Sequence, residues 1–219
     1  MTDPTPLASG READVFALDS ARVLRRYRDG GDVTVEARFM AHLYAAGFPV
    51  PRVHHADGTD LVMRRVSGPT MLHALLTGGI DVEAAAAVLA DLHRRLHAVA
   101  PLPEADEGER ILHLDLHPDN VVLDPSGPVL IDWRNVRHGA PGLDVAMTAL
   151  ILAQVAVDRD QPVATEAGDL LHAYLRAIHG HAVPLVDAAV ARRRADPTQS
   201  ADERALLVPA ATLLAAAGR

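Results

Sequence analysis

His113-Leu114-Asp115-Leu116-His117-Pro118-Asp119-Asn120, followed after a short hairpin by Ile131-Asp132-Trp133, is the stretch that decides the reading of this chain. It holds a carboxylate, an amide five positions later, and a second carboxylate at a predicted strand end. Those residue types suit phosphoryl transfer. Asp115 can orient a hydroxyl nucleophile and accept its proton, while the amide of Asn120 and the carboxylate of Asp132 offer hard oxygen ligands for Mg²⁺ on nucleotide phosphates. Mg²⁺ keeps several waters, so one or two protein carboxylates suffice.

Outward from this stretch, the elements separate into two kinds. Upstream, Asp14–Leu18 and Arg22–Tyr27 read as strands around the turn Asp19-Ser20, and Asp29-Gly30-Gly31-Asp32 breaks the second. Val35, Phe39 and Leu43 recur every four positions and predict an amphipathic helix from Thr34 to Ala46, stopped by Gly47 and Pro49. Val53-His54-His55 and Asp60–Met63 flank the hairpin signal Asp57-Gly58. Residues 1–10 are Pro-rich and polar and read as a loose tail. Downstream, helices are expected over Met71–Leu76 and from the cap Asp81 to about Ala98, then a strand at Ile111–Leu114 and a hairpin over Val121–Asp132. From Asp144 onward, helices alternate with Pro and Gly breaks.

His113-x-Asp115-x-x-x-x-Asn120 matches the catalytic loop of the protein-kinase-like superfamily. The continuation through Leu123 and Ile131-Asp132-Trp133 resembles the aminoglycoside phosphotransferase branch of it. Gly142-Leu143-Asp144-Val145-Ala146 resembles a downstream element of that branch whose aspartate supports the loop. The resemblance spans roughly residues 8–150. It implies an α+β, two-lobed protein-kinase-like fold, with a β-rich N-lobe over 1–66 and a mostly helical C-lobe over 67–219. It also implies ATP or GTP as donor, Mg²⁺ as cofactor, and a small molecule bearing a hydroxyl as acceptor. Asp115 would be catalytic, and Asn120 and Asp132 would hold the metal. Arg25 stands where the family has a nucleotide-positioning lysine, and Glu36 matches its helical partner. Met63, Arg64, Arg65 and Val66 correspond to the hinge whose backbone meets the base.

Three departures accompany the likeness. Arginine at position 25 is a planar fork and not a point charge. The segment Ser9–Ala13, where the family covers the phosphates, has one glycine. Few residues separate hinge from catalytic loop, which disfavours a large aminoglycoside. A degenerate nucleotide-binding or interaction module, and a minimal protein kinase, therefore stay open beside the small-molecule kinase.

Composition narrows the partners. Of 219 residues, 29 are acidic and 21 basic, a net charge of −8. That disfavours nucleic acid and anionic membrane. Cysteine is absent, so thiol nucleophiles and Cys-based zinc sites are excluded. Lysine is absent too, and arginine supplies every fixed positive side chain, a bias that suggests a GC-rich bacterial genome. No signal peptide or membrane span is visible, so a cytoplasmic protein is expected. His93 and His97, four apart on a helix, lack the glutamate of a zinc-hydrolase motif and read as packing or surface residues. Arg192-Arg193-Arg194 reads as a solvated helix face.

Overall fold

A computed structural model describes residues 6–28, 30–178 and 185–217. The expected break at Asp29, the breaks at Gly180 and Pro184 and the first five residues lie outside them. Five strands form an antiparallel sheet: β1 (Ala8–Ser9), β2 (Ala13–Ala17), β3 (Arg22–Tyr27), β4 (Val53–Asp57) and β5 (Asp60–Arg64), in the order β1-β2-β3-β5-β4. The tail expected up to residue 10 is shorter than the sequence suggests. Ala8 and Ser9 pair with Val15 and Asp14, because the turn at Gly10 folds them back and its N–H donates to the Ala13 carbonyl at 2.9 Å.

Helix α1 (Thr34–Ala45) lies between β3 and β4. Its phase differs from the four-residue pattern. Val35 is 53% exposed, whereas Glu36, Ala37, Phe39, Met40 and Leu43 face inward. Glu36 is tolerated there because two polar groups of β3 meet it, Arg25 and Tyr27.

The rest is helical except for two short antiparallel strand pairs. It comprises α2 (Met71–Leu76), α3 (Val82–Ala98), β6 (Arg110–Leu112), a 3₁₀ turn at Pro118–Asn120, β7 (Val121–Asp124), β8 (Gly127–Leu130), β9 (Arg137–Gly139), α4 (Pro141–Val157), α5 (Ala164–Ala177), α6 (Val186–Ala195), α7 (Ala201–Ala205) and α8 (Leu207–Ala217). The pairs are β6 with β9 and β7 with β8. Asp81 caps α3 as expected, accepting from the Ala84 N–H at 2.7 Å. Helix α4 is apolar nearly all round and is the central post, packed by α5, α6 and α8. Among the described residues no helix is long and apolar enough to cross a membrane.

The strand-rich and helical parts meet at a close backbone crossing. At Gly68, φ is +124°, and a Cβ there would sit 2.3 Å from the Leu123 carbonyl oxygen, so only glycine fits. The Leu123 N–H donates to the Pro69 carbonyl at 2.9 Å, and the Ser67 N–H donates to the Asp124 carboxylate at 3.1 Å. These bonds fasten the chain leaving β5 to the hairpin beside Asp132.

Candidate phosphotransfer site

The loop from His113 to Asn120 is held from behind. Asp144, fully buried in the first turns of α4, accepts the His113 N–H at 3.0 Å, the Leu114 N–H at 2.6 Å and His97 Nε2–H at 3.0 Å. Burial alone would raise its pKa, but the His97 hydrogen bond and the surrounding imidazoles outweigh burial and hold it at about 2. Leu114 has φ of +66°, a strained conformation for a branched side chain. The bond from its N–H to Asp144 keeps it there, and the reversal turns Asp115 outward while Leu114 and Leu116 stay buried. Thr148, one turn along α4, donates its hydroxyl to the Leu116 carbonyl at 2.7 Å.

His113 ties this loop to the strand that delivers Asp132. Its Nε2–H donates to the Ile131 carbonyl at 3.0 Å, and its Nδ1 accepts the Asp115 N–H at 3.2 Å. Both ring nitrogens are thereby assigned, and the ring is neutral. Burial lowers the pKa of His113, consistent with that form. Trp133 packs edge-on against the ring at 4.7 Å and is itself fully buried. Asp132 also has positive φ, +64°.

The side chains singled out from sequence fall into two sets. Asp115, Asn120, Asp132, Arg25 and Glu36 converge. The Asn120 Nδ2–H₂ donates to the Asp115 carbonyl at 2.9 Å and to its carboxylate at 3.3 Å. Arg25 bridges the two halves: Nη1 donates to Glu36 Oε1 at 3.2 Å and Nη2 to Asp132 Oδ1 at 2.6 Å. Its guanidinium lies over the Tyr27 ring at 4.7 Å, and the Tyr27 hydroxyl donates to Glu36 Oε2 at 2.7 Å. Burial opposes the charge on Arg25, but the Asp132 and Glu36 carboxylates raise its pKa. Burial pushes the Glu36 carboxyl up.

Met63, Arg64, Arg65 and Val66 form a separate edge. Met63 pairs with Val23 across the sheet. The Arg64 N–H is bonded to the Arg52 carbonyl and the Arg65 N–H to the Ala21 carbonyl. Val66 makes no backbone hydrogen bond among the described residues, which leaves it the segment's free donor and acceptor.

Asp115 is partly exposed, and its pKa lies below the ordinary carboxylate range. Burial would raise it, but His117, His113 and Arg193 together do more in the other direction. Arg193 is a residue the sequence reading missed. Helix α6 places its Nη1 3.8 Å from Asp115 Oδ1, with only 14% of its side chain exposed. The triple-arginine run alone gave no sign of this, because the contact depends on how α6 packs on α4. Residues 9–13 are also engaged more than their composition suggests. Glu12 pairs with Arg134 at 3.1 Å, just past Asp132-Trp133, and Arg11 pairs with Glu203 of α7 at 2.5 Å.

Among the described residues no three His, Asp or Glu side chains form a metal cage. A site completed by nucleotide phosphates needs none. Asn120 Oδ1 and Asp132 Oδ2 have no hydrogen-bond partner among the described residues, so one amide oxygen and one carboxylate oxygen remain for Mg²⁺.

A β-sheet with one helix, set against a helical body and with a charged site between them, defines the class as a kinase-like α+β fold. The family model described as "Phosphotransferase enzyme family" (APH) matches residues 3–110 and 73–181, and the chain belongs to that family. Solved structures agree on the fold. An aminoglycoside phosphotransferase APH(4)-Ia mutant in a ternary complex with AMP-PNP and hygromycin B superposes with a TM-score of 0.57 at 17% identity, over 98% of this chain and 93% of that one. APH(2")-IIa with gentamicin gives 0.59 at 12% identity, over 98% and 91%. ADP-bound APH(2'')-Ib gives 0.57 at 12%, over 95% and 90%. No curated protein matches the sequence.

Proposed function

We propose that the protein transfers the γ-phosphoryl group of ATP to the hydroxyl of a small molecule in a Mg²⁺-dependent reaction. The observation that carries this reading is the convergence of Asp115, Asn120 and Asp132 on one side of the cleft with Arg25 and Glu36 on the other. Nucleotide complexes of the structural neighbours support the choice of donor. Val66, with its free N–H and carbonyl, is the backbone position suited to the base edge. Because it reads backbone only, GTP is an equal candidate. The division of the chain near residues 66/67 belongs to the same reading, with Gly68 at the crossing, as does a cytoplasmic location, where the nucleotide pool is.

The acceptor hydroxyl lies against Asp115. Its oxygen attacks the γ-phosphorus, the bond to the β–γ bridging oxygen breaks, ADP leaves, and the hydroxyl proton passes to the Asp115 carboxylate. Asp115, held below the usual carboxylate pKa, is ionised throughout the neutral range and acts chiefly by orienting the hydroxyl. Arg25 holds Asp132 and Glu36 in place and offers a guanidinium to the donor phosphates. Mg²⁺, held by Asn120 and Asp132, would neutralise the charge that develops on those phosphates.

The contact of Arg25 with Asp132 favours a second reading. An arginine already bonded to the metal carboxylate fits a protein that binds nucleotide without transferring phosphate. One titration separates the readings. Thermal melts of wild type and Asp132→Ala are recorded with ATP, with and without Mg²⁺, and ADP release is followed in parallel. Ligand at about 100 times its Kd adds roughly 2.7 kcal/mol. A Mg²⁺-dependent shift absent from Asp132→Ala, with ADP release, supports the kinase. The same shift with no ADP release for any acceptor supports the binding module, and no shift with ATP or GTP removes both.

A further inference from the structure

The acceptor side carries two arginines, Arg192 and Arg193, beside the carboxylates Asp115 and Asp196, in a fold whose solved neighbours include complexes with hygromycin B and gentamicin. A cavity of about 320 Å³ opens directly on Asp115, and Leu114, Met147, Arg192, Arg193 and Asp196 contribute to its lining. That volume is at the small end of ligand pockets. Its charges are unequally engaged. Arg193 is bonded through Nε–H to the Gln154 side-chain carbonyl and faces Asp115. Asp196 accepts the Thr198 N–H at 2.9 Å and the Thr198 hydroxyl at 2.8 Å. Arg192 makes no hydrogen bond or ion pair among the described residues. Burial lowers its pKa, and repulsion from Arg137 lowers it further. Arg11, paired with Glu203, adds another guanidinium within electrostatic range of Asp115.

We infer that the acceptor is an anion: a small hydroxylated molecule whose carboxylate or phosphate is gripped by Arg192 while its hydroxyl faces Asp115. This rests on the phosphotransfer reading for the role of the hydroxyl, but the anion grip stands on the cavity itself. A guanidinium fork binds an oxyanion through two parallel N–H bonds, and the half-buried setting strengthens them. A polycation would place its ammonium groups beside Arg192 and Arg193. It would find one lining carboxylate besides Asp115, already satisfied by Thr198. The cavity therefore selects against polyamines by charge as well as by size.

Matched acceptors test this on the full chain. D-Glycerate is compared with glycerol, D-gluconate with D-sorbitol, glycerol 3-phosphate provides the phosphate arm, and kanamycin the polycation. ADP release should give the anions a kcat/KM about 100-fold above their neutral twins. Arg192→Gln should raise the acceptor KM at least about tenfold and leave the KM for ATP unchanged, with partial recovery in Arg192→Lys. Preference between glycerate and glycerol 3-phosphate identifies which oxyanion the fork takes. Equal turnover of charged and neutral twins, a best rate with kanamycin, or an Arg192→Gln variant with an unaltered acceptor KM overturns the inference. Thermal melts with the same anions in the absence of nucleotide keep the two readings apart. An Arg192-dependent stabilisation by anions without any ADP release would sink phosphotransfer and leave the anion site standing. No Arg192-dependent shift from any of the three anions would sink the site.

Discussion

The two halves of the site are built on different physics. The helical half fixes its geometry with backbone hydrogen bonds. Asp144 takes two N–H groups of the loop, Thr148 fixes the Leu116 carbonyl and His113 ties the loop to the Ile131 carbonyl, so the Asp115 carboxylate and Asn120 Oδ1 remain available to a ligand. The sheet half fixes its geometry with the charges that a ligand would use. Arg25, Glu36 and Asp132 satisfy one another across the cleft. A brace of the first kind leaves the functional groups poised. A triad of the second kind must reorganise, or keep its contacts, when phosphates arrive, and a buried ion network gives little net stability for its desolvation. The helical half should therefore fail sharply when cut, and the sheet half should yield by degrees.

The sharpest failure is expected at Asp115. Asp115→Ala should lower phosphate transfer by about 10³-fold, within the range of a lost general base, while nucleotide-induced thermal shifts stay as in wild type. Equal turnover by the variant would remove Asp115 from the chemistry. Asp144→Asn comes next. An amide oxygen can replace only part of a carboxylate that accepts three buried donors. The expected loss is about 2–4 kcal/mol, with melting some 5–15 °C lower. The folded remainder should also lose kcat more than nucleotide affinity, since Leu114 would relax from its positive φ. A variant with wild-type melting and wild-type kcat would show that the loop holds itself.

The same contrast explains how much could be read in advance. The elements around positions 113–132 were legible because the loop's chemistry is local: aspartate, asparagine and the second aspartate stand at fixed spacing, with the turn Asp124-Pro125-Ser126-Gly127 marking the hairpin between. The caps and stops at Asp81, Gly47 and Pro49 are local signals too. Phe39 and Leu43 keep the expected face of α1, but Val35 leaves it, because the partner of Glu36 on another strand decides what lies inside at that end. Ala8 and Ser9 become a strand only because β2 lies beside them. Arg192 and Arg193 are the extreme case, since nothing within three arginines in a row says which will meet Asp115. Contacts set by packing between distant elements leave no periodicity to read.

A pH scan sharpens the picture of the helical brace. His93 is fully buried beneath Asp144, with Nδ1 accepting the Tyr174 hydroxyl at 2.8 Å. Burial dominates and lowers its pKa from 6.5 to about 4, against the raising effect of Asp144. The neutral ring costs nothing above pH 6.5. Between pH 6.5 and about 4 the unfolded chain binds the proton and the folded chain does not, so stability falls as pH falls, by up to about 3 kcal/mol. Asp144 stays ionised across that window, since its own pKa is about 2. Urea melts at pH 7 and pH 4.5 should therefore converge in His93→Gln relative to wild type. An unchanged pH difference in the variant would assign the acid sensitivity elsewhere.

The smallest effect is expected from Arg25→Lys, and it bears most directly on the sheet half. One ammonium cannot reproduce two guanidinium bonds 3.2 and 2.6 Å long to Glu36 and Asp132, so one of the two carboxylates is released. If the arginine is a working substitute for the family's lysine, the released carboxylate should be Asp132, which then meets the metal more freely. The KM for ATP should move by no more than about tenfold, roughly 1.4 kcal/mol, and kcat should hold or rise. Glu36→Gln supplies the control. It removes the charge that keeps Arg25 on the helix side, so the arginine should stay on Asp132 and the Mg²⁺ requirement should increase. Complete loss of transfer in Arg25→Lys would mean that the fork itself, and not only its charge, holds the donor phosphates. The two halves would then be equally rigid in what they demand of their side chains.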